Sequence, residues 1–467
     1  MDVREAIRTQ KMKPYQIAVI ALCLIVTIID GFEILVMAFV APFLSKAWSV
    51  NATDTGLMLS ASVFGSALGA IFVSPLADRM GRRKHTLISL ALITVGMTAS
   101  IFVTGVGQMV AVRAFTGLFI GGIVASMNIL VAEYCSDAKR GVAMGIYGIG
   151  FPLGASIGGF ISVALMRGAA DPATAWRLPF VMGAIITAVM FVVALFLLPE
   201  SVGYLVEKRP AGALAAYNKI AVKLGYPTST ELPAKKVVGQ LEKVGSALFA
   251  GVMRTRTIWL WVGYACLMGA FYFANTWTAK LVADQTKDAA LGSQIQSFVP
   301  LGGVIGALVF AALATKLRPR VVTMLILFFG TLIYVVYGNA FTNTSLAPLL
   351  ALGVGLAANG GVAAFYAISP SIYPTSVRAT GVGWMIGFGR SVAILAPYLV
   401  GWVIESFKVS PQTIYQFFGI ILAIGGVAIF MLDRTYANRS ENPDTPHLTL
   451  REEEEALVAA QDAEVTA

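Results

Sequence analysis

Twelve apolar runs, each long enough to cross a bilayer as a helix, constrain this chain of 467 residues more than any other feature. A spanning helix needs about 20 mostly apolar residues, and lipid leaves no water to pair an open backbone. Hydrophobic residues make up 57% of the chain and charged residues only 13%, which excludes a soluble globular domain. The sequence therefore predicts an all-α integral membrane protein with helices at 17–44, 54–77, 86–104, 107–133, 141–166, 176–198, 257–283, 291–314, 321–340, 346–369, 379–404 and 412–432.

The orientation and the domain boundaries follow from the connecting segments. Lys and Arg concentrate in alternate connections, so the positive-inside rule places both termini in the cytoplasm, in a bacterial inner membrane. The longest inner connection divides the runs six plus six. We predict an N-terminal six-helix bundle (1–198), a cytoplasmic linker (199–256), a C-terminal six-helix bundle (257–434) and an acidic cytoplasmic tail (435–467).

Two pairs of similar segments recur at nearly the same offset along the chain. "ADRMGRRKHT" follows the second run and "ATKLRPRVVT" follows the eighth, although Thr315 replaces Asp78 in the second copy. "SDAKRGVAMG" follows the fourth run and "PTSVRATGVG" follows the tenth, which aligns Arg140 with Arg378. Two duplicated six-helix halves around a central site are a transporter architecture.

Four motifs resemble those of the major facilitator superfamily. "SPLADRMGRRK" (74–84) is similar to the loop between its helices 2 and 3, with Ser74 where the family has Gly. "RAFTGLFIGG" (113–122), "GFPLGASIGG" (150–159) and "LPES" (198–201) resemble its motifs in helix 4, helix 5 and at the end of helix 6. This resemblance covers the chain except its tail and implies the twelve-helix fold of that superfamily.

A narrower resemblance is carried by "DGFE" (30–33) together with "YPTSVRATGVGWMIGFGR" (373–390). These two motifs are similar to those of the aromatic acid:proton symporter family, with Glu33 where that family has a second Asp. The resemblance implies uptake of an aromatic acid together with protons.

Charges inside the apolar runs are the candidate functional groups, since a charge at the bilayer centre costs about 2.5–3.5 kcal/mol on insertion scales. The helical rise places Asp30 and Arg113 at similar depths, so we expect them to pair. Arg390 lies near the midplane without an evident acidic partner, and its planar guanidinium suits a substrate carboxylate. Each of these interpretations has an alternative. Asp30 and Glu33 could form a static packing group with Arg113, or Glu33 could extend outward to the interface. Arg390 could have a purely structural partner.

The predicted proton-coupling residues are Asp30, Glu33, Arg113 and Glu133. Asp30 and Glu33 share roughly one helix face, and two nearby acids in a poorly solvated cavity resist being charged together. Arg113 is expected to favour ionisation of Asp30, which leaves Glu33 as the proton acceptor. Glu133 enters through the family resemblance; from its position alone it is an interfacial charge near Arg140.

The predicted substrate-binding set combines cations, amides and aromatic rings. The rings would stack against an aromatic substrate, the asparagines would take ring hydroxyls, and each residue could equally be a packing or interfacial group. The members are Arg390, Arg113, Asn275, Asn359, Tyr366, Trp384, Phe388 and Tyr272, with Tyr264, Phe271 and Trp277 as further candidate rings.

The predicted gating residues lie at the inner ends of the runs. Asp78 would sit at a helix N-terminus of the other half, where negative charge is favoured, and the neighbouring arginines would contact anionic headgroups. Both interactions would join the halves on the inside while the protein is open outward. The set is Asp78, Arg79, Arg82, Arg83, Arg140, Glu200 and Arg378.

The sequence as a whole predicts a proton-coupled symporter that imports a small organic acid anion, an aromatic acid of the benzoate or hydroxybenzoate type. A dicarboxylate or other organic-anion porter is the alternative within transport, and a receptor with a transporter fold is the alternative class. No catalytic cluster or nucleotide-binding loop is found, so we expect no enzyme activity. We also expect a monomer without cofactor, metal or nucleic-acid partner, driven by the proton gradient.

Overall fold

The computed structural model describes residues 2–234, 247–249, 251–373 and 377–437. The predicted acidic tail lies outside the described residues from position 438 onward, as do parts of the predicted linker.

All twelve predicted spans are helices, and the described part of the chain contains twelve helices long and apolar enough to cross a membrane. The seventh helix begins earlier than predicted, inside the predicted linker. The spanning helices are α1 (Pro14–Trp48), α2 (Ala52–Leu68, continued by a π-helical turn Gly69–Val73), α3 (Arg82–Phe102), α4 (Val106–Tyr134), α5 (Arg140–Arg167), α6 (Leu178–Leu197), α7 (Gly251–Thr286), α8 (Ala289–Ala314), α9 (Pro319–Ala340), α10 (Ala347–Ile368), α11 (Arg378–Phe407) and α12 (Pro411–Ala437).

Local sequence explains where several of these helices begin. Pro14 occupies the first turn of α1, where its missing N–H costs no hydrogen bond. The Asn51 side chain caps α2 by accepting from the Asp54 N–H at 2.7 Å, and Asp288 caps α8 by accepting from the Leu291 N–H at 2.9 Å.

The same helix pairs pack together in both halves of the chain, which confirms the predicted duplication. In the first half α1 packs on α5, α2 on α4 and α3 on α6. In the second half α7 packs on α11, α8 on α10 and α9 on α12. Arg140 and Arg378 begin the equivalent helices α5 and α11, as their alignment in the sequence predicts.

The two ends of the bundle differ. We call the end that carries the short helices Val3–Thr9, Val202–Lys208 and Ala213–Lys223 the linker face, and the opposite end the loop face. The N-terminal helix packs onto α4, and its Val3 N–H donates to the Tyr217 hydroxyl of the short helix Ala213–Lys223 at 2.8 Å.

The halves are in contact at the loop face. The Ser293 hydroxyl donates to the Phe39 carbonyl at 2.6 Å, and the Arg167 guanidinium donates to the Gln294 side chain at 3.0 Å. A third bond, at 3.4 Å, joins the Ala52 N–H to the Glu405 carboxylate. Among the described residues, the hydrogen bonds that join the ends of the two halves lie at the loop face and none lies at the linker face.

The Gln296 side chain of α8 forms two hydrogen bonds with the backbone of α7. Its amide accepts from the Ala279 N–H at 3.1 Å and donates to the Asn275 carbonyl, also at 3.1 Å. These two backbone groups pair with each other in an uninterrupted α-helix. The Gln296 side chain therefore connects α8 to α7 through two backbone groups, within the continuous helix Gly251–Thr286.

Candidate functional site

A cavity of about 220 Å³ lies between the halves near mid-depth. Helices α1, α2, α4 and α5 form its first wall, and α7, α10 and α11 form the second. Most of the lining is apolar, so the few polar groups determine what the cavity can bind. Those groups are Asp30, Ser66, Tyr264, Tyr272, Tyr366 and Arg390.

Arg390 projects into this cavity from α11, as predicted. Its guanidinium makes one distant contact, 3.5 Å from the Ser66 carbonyl oxygen. Within the described part of the chain, Arg390 forms no ion pair, and the cavity contains no other cation. The remaining N–H donors are therefore available to a carboxylate in the geometry that guanidinium groups favour.

Asp30 lines the opposite wall from α1. Its side chain is buried, and its Oδ2 atom has no hydrogen-bond partner among the described residues. Directly after it, a Cβ atom on Gly31 would overlap the Phe151 carbonyl, so glycine allows α1 to approach α5 closely here. This approach holds Asp30 beside the cavity without supplying it with a donor.

The predicted pairing of Asp30 with Arg113 is wrong. The Arg113 guanidinium donates to the Glu33 backbone carbonyl at 2.5 Å, to the Ser62 hydroxyl at 3.0 Å and to the Met97 sulfur at 3.1 Å. Arg113 is fully buried and does not line the cavity, which also contradicts its predicted substrate role. Depth along the helices matches Arg113 to Asp30, but the Arg113 side chain extends toward Glu33, the second acid of the motif.

Glu33 also points away from the cavity. It is fully buried and accepts a hydrogen bond from the Thr187 hydroxyl of α6, so the alternative of an outward-extending Glu33 is wrong. Its Oε2 atom has no partner in the described part of the chain. The two acids thus occupy different environments: Asp30 at the cavity, and Glu33 between α1, α4 and α6.

Aromatic residues cover the second wall of the cavity. Tyr272 and Tyr366 line it as predicted, and Tyr264 and Phe271 complete the aromatic surface around Arg390. The rings of Phe271 and Tyr272 pack edge to face, with their centroids 4.9 Å apart. This surface could contact both faces and edges of a flat aromatic ligand.

Four predicted substrate residues lie elsewhere. Asn275 is fully buried and donates to the Phe271 carbonyl of its own helix at 2.9 Å. Asn359 donates to the Gly355 carbonyl at 3.4 Å. Trp384 and Phe388 stack with Trp261 in a separate cleft, with ring centroids 6.2 and 5.8 Å from it. These side chains have the predicted depth but project from other faces of their helices.

Five of the predicted gating residues are clustered at the linker face around the start of α3, namely Asp78, Arg79, Arg82, Arg83 and Glu200. Asp78 pairs with Arg82 at 2.6 Å, and Tyr204 donates to the backbone carbonyl of the exposed Arg79 at 3.1 Å. Glu200 accepts from the Arg82 and Arg83 N–H groups at 2.7 and 3.1 Å, which caps the start of α3. In this conformation these contacts stabilise one half and do not join the two.

The remaining predicted residues also have partners near their own helices. Arg140 pairs with Asp137 at 2.6 Å, and Arg378 donates to the Tyr373 carbonyl at 3.3 Å. Glu133 accepts from the Ser201 hydroxyl at 2.9 Å at the start of the helix Val202–Lys208. Glu133 therefore lies at the linker face, away from the cavity that contains Asp30.

Ser66 and Phe151 line the cavity but are not among the predicted site residues. Phe151 had a usable signal, because it directly precedes Pro152 in the glycine-rich motif of α5. Ser66 contributes its backbone carbonyl as the neighbour of Arg390, and the side-chain pattern contains no signal for that role.

Comparisons with known proteins agree with this architecture. The family model described as Major Facilitator Superfamily matches residues 22–358 and 295–461. The chain is 30% identical over 417 residues to the 4-hydroxybenzoate transporter PcaK of Pseudomonas aeruginosa, covering 87% of this chain and 91% of that protein. It is 28% identical over 432 residues to the gallate transporter of Pseudomonas putida, covering 92% and 94% of the two chains.

Among solved structures, the fold is similar to a partially occluded inward open conformation of the xylose transporter XylE from E. coli. The TM-score is 0.67 at 15% identity, over 90% of this chain and 98% of that one. At that identity the likeness concerns the fold alone.

Proposed function

Because this chain belongs to the major facilitator superfamily and is a transport protein rather than an enzyme, we propose that it is a proton-coupled symporter that imports an aromatic acid. Relatives that match most of the chain are named as transporters of 4-hydroxybenzoate, gallate and benzoate. Each of these names denotes an aromatic ring bearing a carboxylate. The substrate proposed for this chain has the same two parts.

The unpaired Arg390 beside an aromatic wall is the observation that carries this proposal. The guanidinium would hold the substrate carboxylate with two parallel hydrogen bonds, and the neighbouring rings would contact the substrate ring. A dicarboxylate porter is less well supported, because a second carboxylate would meet no second cation among the described cavity residues.

Asp30 is the proposed proton-binding group. It faces the same cavity as Arg390, is buried and has an unpartnered oxygen. A proton on Asp30 would remove the carboxylate charge that repels an arriving anionic substrate. Glu33, Arg113 and Thr187 would transmit this change, since they connect α1 to α4 and α6 directly behind it.

The proposed orientation has the linker face in the cytoplasm of a bacterial cell, with both termini inside. The basic segments near that face support this assignment. This orientation puts the hydrogen bonds between the halves at the outer end, which supports an inward-open conformation. The Asp78 cluster would then join the halves only in the outward-open conformation, and its arginines would contact anionic headgroups.

Transport in proteoliposomes tests the proposal, with radiolabelled 4-hydroxybenzoate and an imposed proton gradient. We expect Asp30→Asn to lose gradient-driven accumulation and to retain substrate exchange at equal pH. Glu33→Gln retains an acceptor for Thr187 and should accumulate substrate at a reduced level. Asp171→Asn, an exposed acid at the loop face, is the matched control and should behave as the wild type.

Two results would contradict the proposal. Accumulation by Asp30→Asn in response to the gradient would exclude Asp30 as the coupling group. Absence of counterflow in the wild type, despite binding, would favour a receptor with a transporter fold.

A further inference from the structure

Two tyrosine hydroxyls meet at the cavity wall beside Arg390. Tyr264 projects from α7 and Tyr366 from α10, and their hydroxyl oxygens are 3.4 Å apart. Tyr264 is 2% exposed and Tyr366 is 47% exposed, so one hydroxyl is fixed in the wall and the other faces open space. We call these two residues the tyrosine pair.

The position of Tyr264 is determined by its packing. A Cβ atom on Gly389 would overlap the Tyr264 ring, so this glycine lets the ring lie directly against α11, one residue before Arg390. The Phe365 ring packs on the other side, with centroids 5.4 Å apart. The Tyr264 ring is therefore held against α11 beside the residue that carries the guanidinium.

The hydrogen-bonding capacity of the tyrosine pair is largely unused. A distance of 3.4 Å is longer than the roughly 2.5–3.0 Å of a well-formed O–H···O bond. Each hydroxyl offers one donor and accepting lone pairs. Among the described residues no other hydrogen-bond partner of either hydroxyl is found, so a ligand hydroxyl could bond to both.

We propose that the tyrosine pair binds a hydroxyl group on the substrate ring and makes the transporter selective for hydroxylated aromatic acids over benzoate. This inference rests on the proposed function, with Arg390 holding the carboxylate. The ring hydroxyl would donate to one tyrosine and accept from the other, which replaces their long mutual contact. The sequence predicts that Asn275 and Asn359 bind ring hydroxyls; we assign that contact to the tyrosine pair, which lines the cavity.

Competition binding to the purified full-length protein in detergent tests this inference, with 4-hydroxybenzoate, 3-hydroxybenzoate and benzoate as probes. We expect the wild type to bind at least one hydroxybenzoate about tenfold more tightly than benzoate, because benzoate leaves the wall hydroxyls unpaired. Tyr366→Phe and Tyr264→Phe should lower hydroxybenzoate affinity about tenfold. They should keep benzoate binding at least as tight as in the wild type, because each retains the ring and removes a hydroxyl that benzoate leaves unpaired. Tyr337→Phe is the matched control, since Tyr337 is buried in the same half outside the cavity.

The outcomes separate this inference from the proposed function. A hydroxybenzoate preference that disappears in the two variants and persists in Tyr337→Phe supports the tyrosine pair. Tight binding of aromatic acids with the same preference in all variants overturns the tyrosine pair and leaves the proposed function standing. No binding of any aromatic acid by the wild type overturns both.

Discussion

The two walls of the central cavity come from duplicated halves with the same helix packing, yet their chemistry differs. The first wall is mostly aliphatic, apart from Phe151 and Ser66, around Asp30, whose Oδ2 atom has no partner among the described residues. The second is aromatic around one unpaired cation, Arg390. Duplication therefore supplies two similar frameworks, and the proposed function assigns the proton to the first wall and the substrate carboxylate to the second.

The linker face shows the same divergence between the halves. In the first half Asp78, Arg82 and Glu200 form a connected set around the start of α3. The second copy has Thr315 in place of Asp78, and the Thr315 hydroxyl donates to the Ala312 carbonyl at 2.7 Å. Only the first copy thus retains an acid that could reach a partner in the other half.

Among the substitutions that test the difference between the two walls, removal of the Arg390 side chain should have the largest effect, and that effect is on substrate affinity. Arg390→Ala is expected to weaken substrate binding about 100-fold, since charge-assisted hydrogen bonds contribute roughly 1.5–3 kcal/mol each. Arg390→Lys keeps the charge without the planar fork and should bind with intermediate affinity. Isothermal titration with 4-hydroxybenzoate measures both, and Arg167→Ala at the loop face is the control. Wild-type affinity in Arg390→Ala would show that the aromatic wall binds substrate without a cation.

A smaller effect, on the stability of the protein, is expected from replacing either of two glycines of α11 by alanine. These glycines lie on opposite sides of mid-depth. A Cβ atom on Gly401 would overlap the Ala52 carbonyl, whereas Gly387 has nothing within 4 Å. Gly401→Ala should lower stability by about 1–3 kcal/mol through overpacking of the joined ends. Gly387→Ala should be neutral or stabilising by up to about 1 kcal/mol from helix propensity.

Thermal unfolding in detergent compares these two variants directly. Equal destabilisation by both would mean that the halves are in contact at the linker end of α11 as well, which would contradict the difference between the two ends.

The smallest effect should come from Asp78→Asn. Exposed ion pairs contribute about 0.2–1 kcal/mol, and the Asp78 side chain is 61% exposed in its pair with Arg82. Transport should slow a few-fold while equilibrium affinity for substrate stays unchanged. Transport rates in proteoliposomes and binding in detergent measure the two quantities. Equal losses in both would indicate a folding defect or a direct part in the site.

The sequence predicts depth well and rotation about the helix axis poorly, which explains what it could and could not establish. Apolar run length predicts all twelve spans, and residue counts along each run place Asp30 and Arg390 near the cavity. Successive residues rotate by about 100°, so a position three residues later faces about 60° away. That rotation turns Glu33 away from the cavity that Asp30 faces. It also explains why the sequence pairs Arg113 with Asp30, whereas in the structure Arg113 contacts Glu33. Asn275 and Trp384 fail for the same reason, since their depth was predicted correctly and their direction was not.

Under the proposed function, the opposed charges of Asp30 and Arg390 have a consequence for the response to membrane voltage. In the empty carrier the ionised acid and the guanidinium sum to zero charge within the cavity. One bound proton neutralises the acid and one bound carboxylate neutralises the guanidinium, so the loaded cavity also sums to zero. Moving one net charge across 100 mV changes the free energy by about 2.3 kcal/mol. A carrier that is neutral in both states avoids this term, so with one proton per substrate its turnover would depend on the pH difference and the substrate gradient and not on the membrane potential.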